Sequence, residues 1–178
     1  MIRAVLWDID GTLLDSEPHH FAAIATVCTA HGVAVVPEDH ARLLGRTMGE
    51  VFAWIQATRA LPLTLDAFIT ACNTAYVGAV DAVPLRPGGC ERVDALAARG
   101  LPQACVSNSA RPVVDANFAR LGRPGLSFAL SRDDVVEGKP APEPYLKAAA
   151  RLGVPPEACL VVEDSPIGAR SAKAAGMV

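Results

Sequence analysis

The stretch that decides the fold is Ala4-Val5-Leu6-Trp7-Asp8-Ile9-Asp10-Gly11-Thr12. Its apolar run, Ala4 to Trp7, is typical of a strand covered on both faces, as in a parallel α/β sheet. Because side chains alternate along a strand, Asp8 and Asp10 are predicted to point to the same side. Two such carboxylates repel each other, so a positive group is expected between them, where α/β sheets bind ligands. The alternative is a pair of solvated acids in an Asp-Gly turn.

Length and composition favour one domain, or a core domain with a small insertion. The chain has 178 residues, 51% of them hydrophobic, and a mean hydropathy of +0.28, which is ample for a sizeable core. The net charge of −3 gives no electrostatic sign of nucleic-acid or membrane binding. No apolar segment approaches the roughly 20 residues of a membrane span, and no secretory signal is recognisable.

The five cysteines are too scattered for a disulfide framework or a zinc site. We expect them to be small buried hydrophobes in a reducing, cytoplasmic environment. Their positions are Cys28, Cys72, Cys90, Cys105 and Cys159.

No strand pattern appears between the first strand and about Leu101, a gap far longer than an ordinary crossover connection. The apolar spacing within this gap indicates helices. We therefore predict a helical domain at residues 15–86, inserted into a core formed by residues 1–14 and 87–178.

Three further strands are predicted, and each is followed by polar residues. Ser107 ends the strand Leu101 to Val106, just before a helix, where the first amides of the helix favour an anion. Asn108 or Ser109 alternatively caps that helix. After the strand Leu126 to Leu130 comes Gly138-Lys139-Pro140-Ala141-Pro142, and the strand Ala158 to Val162 ends in Glu163-Asp164.

This series of motifs resembles the haloacid dehalogenase-like phosphohydrolases, whose first motif is D-x-D-G-[TV] and whose third is G-K-P-x-P. The resemblance covers essentially the whole chain and is strongest to the subfamily IA branch of β-phosphoglucomutase and phosphoglycolate phosphatase. It implies a Rossmann-like parallel sheet with a helical cap inserted after the first strand. It also implies a phosphatase acting on a small phosphorylated metabolite, such as a sugar phosphate.

The resemblance assigns roles to individual residues. Asp8 would be the nucleophile that forms an aspartyl-phosphate, and Asp10 the general acid and base. Lys139 would be catalytic and would also bind phosphate. The other expected phosphate-binding residues are Gly11, Thr12, Ser107 and Asn108. The converging carboxylates favour Mg²⁺, with the expected ligands Asp8, Asp10, Glu163 and Asp164.

Several alternatives stay open. A true dehalogenase has no use for Asp10, and a receiver domain carries its phosphorylated aspartate later in the chain. A pseudoenzyme that binds phosphorylated ligands is a third alternative. A phosphomutase shares all four motifs, but the positions of two cationic cap residues of β-phosphoglucomutase are taken by Met48 and Cys72 in an ungapped comparison. Three nearby arginines are candidates to replace them: Arg42, Arg46 and Arg59.

The family pattern continues with at least one more strand beyond Gly176-Met177-Val178. The fourth predicted strand would then be a bare apolar edge of the sheet. Because exposed edges recruit partners, we expect self-association through this edge.

Overall fold

The computed structural model describes all residues, 1–178, and divides the chain into two compact units. The first unit contains Met1–Asp15 and Val83–Val178, and the second contains Ser16–Ala82. We call them the core unit and the helical unit. The helical unit ends four residues before the predicted boundary at 86, because the segment after Ala82 pairs with the core. Arg86 N–H donates to Leu13 O at 2.8 Å.

The core unit contains a four-stranded parallel sheet in the order β3-β2-β1-β4. All four residues of β1 are buried between two neighbouring strands, which explains the unbroken apolar run in the sequence. The prediction of a Rossmann-like α/β fold is confirmed. The strands are β1 Ala4–Trp7, β2 Gln103–Val106, β3 Ala129–Leu130 and β4 Cys159–Val162.

Eight α-helices accompany the sheet, four in each unit. The helical unit contains α1 Glu17–Ala30, α2 His40–Leu43, α3 Met48–Arg59 and α4 Leu65–Gly78. The core unit contains α5 Gly89–Ala97, α6 Arg111–Leu121, α7 Glu143–Leu152 and α8 Pro166–Ala174. Short 3₁₀ turns cover Pro37–Asp39, Val80–Ala82, Arg132–Asp134 and Pro156–Ala158.

One buried polar side chain, Gln103, fixes the sheet to α5. Its side-chain oxygen accepts a hydrogen bond from Trp7 Nε1 at 2.9 Å, and its Nε2 donates to Val93 O at 2.9 Å. Both ends of the buried amide are therefore satisfied, so its burial carries no penalty for a missing hydrogen bond.

The helical unit has its own apolar cluster, which includes Ile55 and Phe68. Helix α3 begins with a capping box, in which Thr47 Oγ1 accepts from Glu50 N–H and the Glu50 carboxylate accepts from Thr47 N–H. The unit thus has a core of its own, as an inserted domain requires. That it serves as a cap stays a prediction.

The outer edge of β4 is partly covered, whereas the sequence predicts a bare edge there. β4 is at the edge of the sheet, but Val161 N–H donates to Val178 O at 2.8 Å, and Val178 N–H donates to Cys159 O at 3.2 Å. The final residue of the chain therefore pairs with β4. Self-association through this edge stays a prediction.

None of the helices has the length and apolar character required to cross a bilayer. All five cysteines are free and buried. The residues of the site described next belong to the core unit.

Candidate active site

The predicted site residues meet at the carboxyl ends of the parallel strands. Asp8 follows β1, Ser107 follows β2, and Glu163 and Asp164 follow β4. Lys139 comes from the loop that precedes α7. Because parallel strands end at the same edge of a sheet, side chains that are distant in sequence become neighbours there.

Lys139 is at the centre of this group and is only 7% exposed. Its Nζ donates to Asp8 Oδ1 at 2.7 Å and to Val106 O at 2.8 Å, and it also contacts the Glu163 carboxylate. Burial alone lowers the pKa of Lys139, but the charges of Asp8 and Glu163 outweigh it, so the pKa is raised. Lys139 is therefore a permanent positive charge beside Asp8.

Asp8 is a buried acid with one unused oxygen. Burial raises the pKa of Asp8 to about 7, although the charge of Lys139 opposes that rise. Oδ1 accepts from Lys139, whereas Oδ2 is buried and has no hydrogen-bond partner. A buried carboxylate oxygen without a partner is costly. This atom is thus suited to face a cation or an electrophile.

Asp10 has a different environment, because its carboxylate accepts hydrogen bonds from neutral groups. Ser107 Oγ and Ser109 Oγ donate to Asp10 Oδ2 at 3.1 and 2.9 Å. Asn117 Nδ2 donates to Asp10 Oδ1 at 3.0 Å. The two aspartates of one motif therefore differ in the donors seen on them, which are Lys139 on Asp8 and two serines and an asparagine on Asp10.

Glu163 is a fixed partner of Lys139. Besides Lys139, its Oε1 accepts from the Tyr145 hydroxyl at 2.9 Å, and its Oε2 accepts from Ser165 Oγ at 2.9 Å. A Cβ on Gly168 would lie 1.7 Å from Glu163 Oε1, so only glycine lets helix α8 approach this carboxylate. Both oxygens of Glu163 are thus engaged within the protein, and its contact with a metal stays a prediction.

Asp164 is placed by the turn that follows Asp10. Gly11 has a φ of +85°, and a Cβ on it would lie 2.2 Å from Asp164 Oδ2. Thr12 Oγ1 donates to Asp164 Oδ1 at 3.2 Å, and Gly11 N–H donates to Leu14 O. Gly11 and Thr12, which were predicted to bind phosphate, are thus engaged within the protein, in the turn and with Asp164. Their phosphate contact stays a prediction.

The predicted phosphate ligand Asn108 makes a paired contact with the third motif. Its Nδ2 donates to Lys139 O at 3.0 Å, and its Oδ1 accepts from Lys139 N–H at 2.8 Å. The side chain therefore fixes the backbone that carries Lys139.

Three acids can hold a metal ion here. Asp8, Glu163 and Asp164 each offer a carboxylate oxygen, and these atoms lie within 4.8 Å of one another. Hard oxygen donors of this kind favour Mg²⁺ or Ca²⁺ over softer metals. The unpartnered Oδ2 of Asp8 fits such an ion, because a cation would satisfy it.

The sequence matches one family along nearly its full length. Residues 2–176 match the haloacid dehalogenase-like hydrolases. The chain belongs to this family. It is 34% identical over 188 residues to Protein CbbY of Rhodobacter capsulatus, a match that covers 99% of the chain and 83% of that protein. It is 31% identical to Hexitol phosphatase A of Escherichia coli strain K12, over 98% of the chain and 80% of that protein.

Solved structures of this family agree with the fold. The crystal structure of CbbY from Rhodobacter sphaeroides in complex with phosphate aligns at a TM-score of 0.87 and 30% identity, covering 99% of the chain and 84% of CbbY. A mutant of the same protein has been solved with xylulose-1,5-bisphosphate. The family match confirms the predicted resemblance and the hydrolase class. The phosphatases among the relatives support the narrower prediction of a phosphatase.

Four residues of this hydrolase lie against the predicted site residues but were not predicted to belong to the site: Ser109, Asn117, Tyr145 and Gly168. The position of Asn117 could have indicated a site, since Asn117 lies on the helical face that also carries Val113, Val114 and Leu121. A polar residue on an apolar face is either a satisfied core group or part of a site. Tyr145 gave no such indication, because a tyrosine is common in the helix of a core. Gly168 did give one, since glycine is costly inside a helix and its presence there indicates a close packing contact.

Proposed function

We propose that the chain is a Mg²⁺-dependent phosphatase that hydrolyses a small phosphate monoester through an aspartyl-phosphate on Asp8. The proposal rests on one observation, which is that the two acids after β1 accept hydrogen bonds from different kinds of donor. Lys139 donates to Asp8, whereas Ser107, Ser109 and Asn117 donate to Asp10. Two neighbouring acids in different environments are typical of a nucleophile beside a general acid and base.

The proposed first step is attack of Asp8 Oδ2 on the phosphorus of the ester. This oxygen has no hydrogen bond to lose, and the charge of Lys139 opposes the rise in pKa that burial causes, which favours the charged, nucleophilic form of Asp8. The bond between phosphorus and the ester oxygen breaks, and Asp10 donates a proton to the leaving alcohol. Lys139 offsets the charge on the transferring group.

The proposed second step hydrolyses the aspartyl-phosphate. Asp10, now a carboxylate, removes a proton from the attacking water, and the bond between phosphorus and Asp8 breaks to release inorganic phosphate. Ser107, at the end of β2, is proposed to donate its hydroxyl to a phosphate oxygen in both steps. The restored carboxylate of Asp8 and the protonated Asp10 are then ready for another turnover.

Asp8, the Asp10 backbone carbonyl and Asp164 are proposed to hold Mg²⁺, with Glu163 in support. When bound, the ion would neutralise phosphate charge and lower repulsion between the ester and the nucleophile. The cluster of three carboxylates supports this proposal.

The substrate class is proposed from the relatives and from the helical unit. CbbY and Hexitol phosphatase A suggest a phosphorylated sugar or polyol. A mutase also needs cationic groups that hold a second phosphate, yet Cys72 is buried in the apolar cluster of the helical unit. Arg59, a candidate replacement, is paired with Asp39 at 2.8 Å. Net hydrolysis is therefore favoured over isomerisation, with the helical unit as the substrate-selecting cap.

The cytoplasm is proposed as the site of action, which the five free thiols support.

The test is a phosphate-release screen over sugar, polyol and glycolyl phosphates, with Mg²⁺ and with EDTA. We expect release only with Mg²⁺, and activity that survives in EDTA would contradict the proposal. A second assay supplies β-glucose 1-phosphate with a trace of glucose 1,6-bisphosphate and follows glucose 6-phosphate and inorganic phosphate. Isomerisation well in excess of phosphate release would establish the mutase instead.

A further inference from the structure

We propose that Ser109 and Asn117 are positioning residues that fix the Asp10 carboxylate for proton transfer to and from the substrate. The inference rests on the proposed role of Asp10 as general acid and base. It adds two residues that lie outside the sequence motifs, one in the loop after β2 and one on α6.

Asn117 is completely buried, yet it belongs to the face of α6 that otherwise carries valine and leucine. Its Nδ2 reaches Asp10 Oδ1 at 3.0 Å across 107 residues of sequence. A buried amide must find partners for its polar atoms, and one of them here is Asp10. The contact therefore links a rigid helix to the group that has to be oriented.

Ser109 holds the other oxygen of the same carboxylate. Ser107 Oγ also donates to that oxygen, Asp10 Oδ2, at 3.1 Å, compared with 2.9 Å for Ser109. If Ser107 turns its hydroxyl to phosphate, as proposed above, its bond to Asp10 is lost. The bonds from Ser109 and Asn117 remain, one on each oxygen, and two such contacts fix both the direction and the rotation of the carboxylate.

Proton transfer depends strongly on placement, and a displacement of about 1 Å costs on the order of 100-fold in rate. This dependence exists only where a proton has to move. An alkyl ester needs a proton on its leaving oxygen, whereas p-nitrophenolate is a stable anion that departs without one. Comparing the two esters therefore isolates the function of Asp10 from every other property of the site.

The experiment measures kcat/KM, which reports the steps up to ester cleavage, for the best alkyl phosphate of the screen and for p-nitrophenyl phosphate. Asn117→Ala and Ser109→Ala are expected to lower the alkyl value by about 10- to 100-fold. The aryl value should stay close to that of the wild type. Each ratio of the two values is independent of the amount of folded enzyme, so partial unfolding of a variant does not produce the effect.

Asp10→Asn supplies the reference, because it removes the proposed proton donor itself. Asn117→Ala added to Asp10→Asn should cause no further selective loss, since a positioning residue acts only through its target. Gln103→Leu is the matched control. It removes another fully buried amide, whose bonds go to Trp7 and Val93, and it should change the two esters alike.

Equal losses for the two esters in both variants, or a further selective loss in the Asp10→Asn background, would overturn the inference. An Asp10→Asn variant that is itself unselective would instead refute the proposed general-acid role, and the inference with it. The two failures are therefore distinguishable.

Discussion

The core unit and the helical unit bury their polar groups for different reasons. In the core unit, Asp8, Lys139 and Glu163 are packed together although their charges are costly to remove from water. In the helical unit, the buried charge of Asp39 is matched by Arg59, and an apolar cluster forms most of the interior. We propose that the first arrangement serves chemistry and the second stability. Substitutions should therefore have different effects in the two units.

The largest effect is expected for Asp8→Asn in the core unit. A neutral amide is a poor nucleophile, so turnover should fall by about four orders of magnitude or more. The measurement is phosphate release together with acid-quenched capture of the phosphoenzyme, which should vanish. More than a few per cent of wild-type turnover would show that the covalent mechanism is wrong.

Loss of a metal ligand in the core unit should have the next largest effect. Asp164→Ala should raise the Mg²⁺ concentration for half-maximal activity by at least about tenfold, because it removes a hard oxygen ligand. Ca²⁺ should inhibit the wild type, since its larger and looser coordination shell relaxes the octahedral geometry. The readout is a Mg²⁺ titration of both proteins. An unchanged Mg²⁺ requirement would remove Asp164 from the site.

Two glycines give a matched pair between the units. Gly168→Ala forces a Cβ into Glu163, so we expect a loss of about 1–3 kcal/mol in unfolding free energy together with a loss of turnover. Gly78, at the end of α4, has open space around it, and Gly78→Ala should stabilise the protein by up to about 1 kcal/mol. Urea unfolding and phosphate release measure both. Equal stability changes would contradict the comparison.

The same contrast explains what could be predicted from the sequence. The four strands and the predicted residues at their ends were identifiable because a buried strand is an apolar run that stops abruptly at polar side chains. β4 is the edge strand, as predicted, but Val178 pairs with part of it, and this pairing depends on how the last turn folds back. No local pattern contains that information.

The contacts within the site were less predictable than its members. The amide of Asn108 pairs with the backbone of Lys139, 31 residues away, a contact that the sequence did not predict. Tyr145 and Ser165 donate to the oxygens of Glu163, which the sequence did not predict either. The predicted phosphate contact of Asn108 and the metal contact of Glu163 stay predictions. Such pairings depend on distances between elements, which sequence spacing does not give.

The smallest expected effect, and the one that tests the helical unit, concerns Asp39. Its burial alone would raise its pKa, but the Val36 N–H and the guanidinium of Arg59 outweigh burial and lower the pKa. When the pKa is lower in the folded state, the carboxylate stabilises the fold at every pH above the pKa of the unfolded chain, which is near 3.9. This stabilisation is lost as the pH falls from there through the lower pKa of the folded state. Asp39→Asn should therefore cost about 1–2 kcal/mol at pH 7.

The difference in unfolding free energy between wild type and Asp39→Asn should shrink below about pH 4, because Asp39 of the unfolded wild type then takes up a proton. Urea unfolding of both proteins at pH 7 and near pH 3.5 measures it. At pH 7, turnover per folded molecule should be unchanged, because Asp39 has no part in the proposed chemistry of the core unit. A stability difference that is the same at both pH values would mean that packing, rather than the charge of Asp39, holds this part of the helical unit.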